Sequence, residues 1–173
     1  AYVGSLDLKG TSSSSVGVEA LPATLNFNVA SGAVINVTGK TSINYGLRLN
    51  NSTLTLNSNT SANGTLNIIG SASNANGNST GRGIQFESGV NISVANGSLN
   101  LNGTSEAFVG IYLANTVNFV ALQNSTISMY GKTNSGVGIY TLNNVFWNLN
   151  IASAASINAV SYTHLRAHET RED

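Results

Sequence analysis

SLNLNGTSEAFVGIYL, residues 98–113, is followed after twelve residues by TISMYGKTNSGVGIYT, residues 126–141, and this couplet of short strands returns five times along the chain. Self-similarity at a period of about thirty residues decides an architecture ahead of any single residue. The glycine that ends the first strand recurs as Gly10, Gly39, Gly70, Gly103 and Gly131, in steps of 29, 31, 33 and 28 residues. The glycine that opens the second recurs as Gly17, Gly46, Gly83, Gly110 and Gly138, each followed by an aliphatic residue. Two independent markers keep step.

Within the first strand the apolar positions alternate: Leu6/Leu8, Ile35/Val37, Leu66/Ile68, Leu99/Leu101 and Ile127/Met129. That is strand periodicity with one buried face. The second strand repeats it with Val18, Leu47, Ile84, Ile111 and Ile139 in one column and Ala20, Leu49, Phe86, Leu113 and Thr141 in the next. A third strand is expected at Leu25 to Phe27, Leu54 to Leu56, Val90 to Val94 and Val117 to Val120. Three short strands per repeat, parted by Gly, Asn and Ser and never by a helical pattern, predict an all-β chain coiled into stacked rungs. This is a parallel β-helix, or solenoid, of about five rungs of 28–33 residues. Asn and Gly are expected at its corners, where left-handed backbone angles cost them little. One rung cannot bury its own apolar face, so about three must stack before the fold stands.

Composition agrees. The 173 residues hold 26 Asn and 18 Gly but one Pro, and Pro has no N–H to give to a ladder. Without Cys, the stack is expected to need no disulfide staple. No run approaches the eighteen apolar residues of a membrane helix. The opening AYVGSLDL enters directly on a strand, so the chain is read as an internal fragment.

Residues 1–159 are expected to be the solenoid, and the register is expected to break at Val160. The segment Val160 to Asp173 carries both histidines and five of the fourteen charged residues. As a native helix it would set His164 and His168 four residues apart on one face, a spacing suited to a metal. Yet VSYTHLRAHET, residues 160–170, resembles residue for residue the translation of a transposase-type sequencing-library adapter found at the ends of metagenomic reading frames. That resemblance implies a non-native tail, disordered or a short helix, and removes the histidine pair from any site.

The remaining residues are a poor toolkit for catalysis: Lys9, Lys40, Arg48, Arg82 and Lys132 against Asp7, Glu19, Glu87 and Glu106, with no His or Cys. Glycosidic chemistry needs two facing carboxylates, and no two share a strand or adjacent equivalent slots. Asp7 is followed in its column by Asn36, Asn67, Asn100 and Ser128. No phosphate-binding glycine motif stands between a strand and a helix, and the net charge is zero, so nucleotides and nucleic acids are disfavoured. No cofactor and no metal are expected.

One outward column reads Glu19, Arg48, Gln85, Tyr112 and Tyr140. It predicts a Glu19–Arg48 ion pair and a Tyr112–Tyr140 stack. The same tyrosines would make a platform for sugar rings, with Arg82, at the exit of the long segment Gly70 to Gly83, as an anchor for a carboxylate or phosphate. Tyr112, Tyr140 and Arg82 are therefore the candidate glycan or surface contacts.

The couplets LNLNG…GIYL and INVTG…GLRL, with their Asn-rich turns and the lack of Cys, resemble the passenger repeats of bacterial autotransporters and filamentous-haemagglutinin-like adhesins. The resemblance spans residues 4–158 and is one of pattern. It implies a right-handed β-helix and a non-enzymatic stalk of a secreted or surface-exposed adhesin. It implies export through an outer-membrane β-barrel lying outside these 173 residues, and contacts with glycans, host or abiotic surfaces, or other copies of the chain. The alternative is a piece of a β-helix polysaccharide lyase or glycoside hydrolase whose active rungs are missing.

Overall fold

The structure is a computed structural model and describes residues 4–30, 32–58, 63–73, 81–143, 145 and 147–163. The chain is a β-solenoid of three parallel sheets, with no helix among the described residues. The first sheet holds β1 (Ser5–Ser12), β4 (Val34–Thr41), β7 (Gly64–Ala72), β10 (Gly97–Ser105), β13 (Thr126–Thr133) and β16 (Ser156–Thr163). The second holds β2 (Val18–Ala20), β5 (Tyr45–Leu49), β8 (Arg82–Phe86), β11 (Val109–Leu113) and β14 (Val137–Thr141). The third holds β3 (Thr24–Val29), β6 (Thr53–Ser58), β9 (Val90–Ala95), β12 (Val117–Ala121) and β15 (Trp147–Ile151). Each strand pairs with its counterpart one period away, so about five turns stack along one axis.

The expected columns are the observed register. Leu6, Ile35, Leu66, Leu99, Ile127 and Ile157 are successive partners across the first sheet. Inward aliphatics from the three sheets meet on the axis, where Leu54, Leu66, Ile84, Phe86, Ile92, Leu101, Ile111 and Phe119 are fully buried. Phe86 and Phe119 meet edge to face, 6.2 Å between ring centres. The four expected third strands are present with slightly wider limits, and a fifth, β15, continues them.

The corners differ in their chemistry. Between the third and first sheets the turn residues Gly32, Asn96, Asn124 and Ala154 take positive φ, and Asn51 and Gly89 do so between the second and third. Between the first and second sheets glycine serves another purpose. A Cβ on Gly39 or Gly103 would overlap the carbonyl oxygen of Gly46 or Gly110, so the column is glycine because two backbones touch there. This corrects the expectation that corner glycines serve special angles throughout.

A second device stands just beyond those glycines. The hydroxyls of Ser12, Thr41, Ser105 and Thr133, four of the members of one column, each accept the N–H groups two and three residues on. Thr133 Oγ1, for instance, takes Ser135 N at 3.4 Å and Gly136 N at 3.1 Å. The third turn carries Ala72 in this column. The next strand of that turn, β8, begins at Arg82, and residues 74–80 between them lie outside the described residues.

The expected break at Val160 lies too early. β16 runs on to Thr163, with Val160, Ser161, Tyr162 and Thr163 opposite Tyr130, Gly131, Lys132 and Thr133. A parallel ladder is made by backbone groups and accepts any outward side chain, while the inward Ile157 and Ala159 keep the pattern. Ser161 stands in the glycine column, and its Oγ accepts Ile139 N at 3.0 Å. His164 and His168 lie outside the described residues.

Candidate surface-contact site

The alternation of the second-sheet strands buries Leu47, Ile84 and Ile111 and turns the intervening residues outward. Glu19, Arg48, Gln85, Tyr112 and Tyr140 then form one line across five turns, as the spacing predicts. Arg48 Nη1 donates to Glu19 Oε1 at 2.7 Å, the expected ion pair. Its Nε donates to Glu87 Oε2 at 2.6 Å, a second carboxylate that sequence reasoning missed. Glu87 follows β8 by one residue and so falls outside the alternating pattern that identified the column. Burial pulls the Arg48 pKa down, but the hydrogen bonds and charges of Glu87 and Glu19 outweigh it and hold the guanidinium above its ordinary value.

Tyr112 and Tyr140 stack with 5.6 Å between centroids and 15° between planes. The Arg82 guanidinium lies 4.1 Å from the Tyr112 centroid, 5.3 Å from that of Tyr45 and 5.4 Å from that of Phe108. It donates from Nη1 to Gln85 Oε1 at 2.7 Å. Its Nε is buried without a hydrogen-bond partner among the described residues. The three candidate residues therefore meet, and the geometry divides their roles. Tyr112, covered by Arg82 on one side and Tyr140 on the other, is 7% exposed, whereas Tyr140 is 37% exposed. One ring, not two, faces solvent, and Arg82 is engaged by the aromatic rings. Tyr45 was readable as the residue in Arg82's own column, each standing just before the marker glycine (Gly46 and Gly83), whereas Phe108 lies between strands and carries no such signal.

Two other outward columns are ladders of side-chain amides. Asn36 Nδ2 donates to Asp7 Oδ1 at 2.6 Å, Asn67 Nδ2 to Asn36 Oδ1 at 2.8 Å, and Asn100 Nδ2 to Asn67 Oδ1 at 2.9 Å. On the third sheet Asn118 donates to Asn91 and Asn148 to Asn118, both at 2.6 Å. The second ladder was readable from the repeated pairs Val90-Asn91, Val117-Asn118 and Trp147-Asn148. Such ladders make one bond per turn and spend each amide on its neighbour. Of the described carboxylates, Asp7, Glu19 and Glu87 have their oxygens in these contacts. Among the described residues no three His, Cys, Asp or Glu side chains gather into a metal-binding group.

Compared with known proteins, the chain matches no family model, no curated protein and no solved structure.

Proposed function

We propose that the chain is a non-enzymatic stalk segment of a bacterial adhesin or autotransporter passenger, exported through an outer-membrane barrel and standing at the cell surface. The observation that supports this most is the use made of its polar side chains. They run in columns that tie turn to turn, Asp7 to Asn100 on the first sheet and Asn91 to Asn148 on the third, and among the described residues these columns do not converge on a point where a substrate would sit. A solenoid whose turns lie about 4.8 Å apart is a rod that carries a distal domain away from its anchor. Its amide and hydroxyl faces suit many weak contacts with glycans or solid surfaces, and Tyr140 offers the exposed ring.

The test places the chain between an exported reporter domain and an outer-membrane translocator. The reporter is expected to be protease-accessible at the cell surface, and the cells to gain adhesion to glycan-coated plates. The purified chain, incubated with a panel of polysaccharides with and without calcium, is expected to release no new reducing ends or unsaturated products. Polysaccharide cleavage would overturn the proposal in favour of a β-helix lyase or hydrolase; a reporter held inside the cell would overturn the stalk.

A further inference from the structure

The charged residues of the strands are divided unevenly among the three faces. The first sheet carries Asp7, Lys9, Lys40 and Lys132 and the second Glu19, Arg48 and Arg82, whereas β3, β6, β9, β12 and β15 carry none. The outward positions of this third sheet also lack aromatic rings, because Phe27, Phe119 and Trp147 belong to its inward columns. In the three middle turns the face reads Thr53, Asn91 and Asn118 in one column and Thr55, Ser93 and Val120 in the next. All six are at least partly exposed, and their turns have a neighbour on both sides. The result is a flat, uncharged face of short side chains.

We infer that this third-sheet face is where the chain meets its glycan, and that the ligand is an uncharged polysaccharide lying along the axis, across the strands. A neutral polymer laid over Lys9, Lys40 and Lys132 would strip water from cations and supply no counter-charge. On the third sheet it meets no such cost. The face is equally unsuited to other partners. Without Lys or Arg it has nothing to hold a nucleic acid or an acidic glycan. Without an outward aromatic residue or Arg it lacks the anchors of a protein interface, a second copy of the chain included. Its amides and hydroxyls both donate and accept hydrogen bonds, as sugar hydroxyls do. Asn118 gives one N–H to Asn91, and its oxygen takes one from Asn148. The second N–H and second lone pair of the amide are left for a ligand, on a side chain whose rotamer the ladder has already fixed. Equivalent positions recur about 4.8 Å apart, so a polymer along the axis gains a weak contact at each turn and the contacts reinforce one another. The inference rests on the reading of the chain as a surface-contacting stalk and names the face and the ligand class.

Cosedimentation of the full chain with microcrystalline cellulose and with chitin, both uncharged, is expected to retain it equally at low salt and in about 1 M salt, where ionic contacts are screened. Carboxylated polygalacturonate beads are expected not to retain it. Ser93→Lys puts a cation under the polymer and is expected to weaken retention on the order of tenfold. Asn102→Lys, the same change at an outward position of the first sheet, is expected to bind like the parent. Thermal melts like the parent's check that both variants fold. Retention that falls with salt, that favours polygalacturonate, or that Ser93→Lys leaves unmoved would overturn the inference. So would a chain held by neither neutral polymer. The stalk reading is judged separately, by whether the reporter reaches the cell surface, so the two failures are told apart.

Discussion

Leu101 in the fourth turn and Leu8 in the first occupy the same inward column, reached from one another by unbroken parallel pairing. One is fully buried; the other is 46% exposed. The local sequences, SLNLNG and SLDLKG, differ by two outward residues. Burial in this protein is thus a property of the stack and not of the rung. Each turn borrows half of its core from the turn on either side, and a terminal turn holds the same apolar pattern with half the return. The corners behave otherwise. The glycine contact between first and second sheets lies within one turn, and a Cβ on Gly10 at the end would collide with Gly17 as surely as one on Gly103 with Gly110.

The largest expected effect breaks a corner. Gly103→Val drives side-chain atoms into the Gly110 carbonyl, which is backbone and has no rotamer to escape into. The variant is expected to lose its cooperative unfolding transition altogether. Gly4→Val, where no heavy atom lies near the added Cβ, is expected to melt with the parent. A folded Gly103→Val protein would show that the corner can open.

Next comes the comparison itself. Leu101→Ala leaves a cavity on a fully buried axis and is expected to cost about 3 kcal/mol. Leu8→Ala removes atoms already half in water and is expected to cost about 1 kcal/mol or less. Urea denaturation of both measures the difference. Equal losses would mean that the inward face of the first turn is covered in solution.

The hydroxyl column should follow the same gradient more weakly. Thr133→Val strands two turn N–H groups beside a buried site and is expected to cost about 1.5 kcal/mol. Ser12→Ala, at a less buried corner, should cost about a third of that. The reverse order in thermal melts would show that these hydroxyls serve something other than turn closure.

The smallest effect is at Arg48. Its two carboxylate partners are partly exposed, so Arg48→Met is expected to lose at most about 1 kcal/mol at low salt and almost nothing in about 1 M salt. Because the folded pKa of Arg48 is raised, its contribution is complete below the unfolded value and is lost only as pH climbs through the folded one. The loss caused by Arg48→Met is therefore expected to stay level from neutral pH until strong alkali. A loss that changed between neutral and moderately alkaline pH would show that another titrating group carries the contact.

Much of this was legible in one dimension. The Leu99/Leu101 alternation, the glycine markers and the Glu19-to-Tyr140 column are all local patterns repeated at a fixed period, and the period itself is the register. Less legible were contacts that cross the pattern. Glu87 reaches Arg48 from outside any strand, and Phe108 and Tyr112, both of the fourth turn, reach Arg82 of the third from positions out of its column. A column alignment compares equivalent positions, so it has no means of pairing unlike ones. β16 escaped for the opposite reason: its outward residues depart from the repeat, while backbone pairing asks only that the inward ones conform.

By itself, then, the amino-acid order determined that the chain is all-β, that its strands stack at a thirty-residue period, and which side chains share each column. Alternation and repetition are imposed by strand geometry alone. Only the tertiary structure decided which tyrosine reaches solvent, which carboxylates Arg48 holds, why the corner glycines are glycine, and that Leu8 stays half exposed where Leu101 is buried. The glycine contact lies within one turn but depends on how closely two strands approach, and the others depend on distances between residues a turn or more apart, which no single repeat contains.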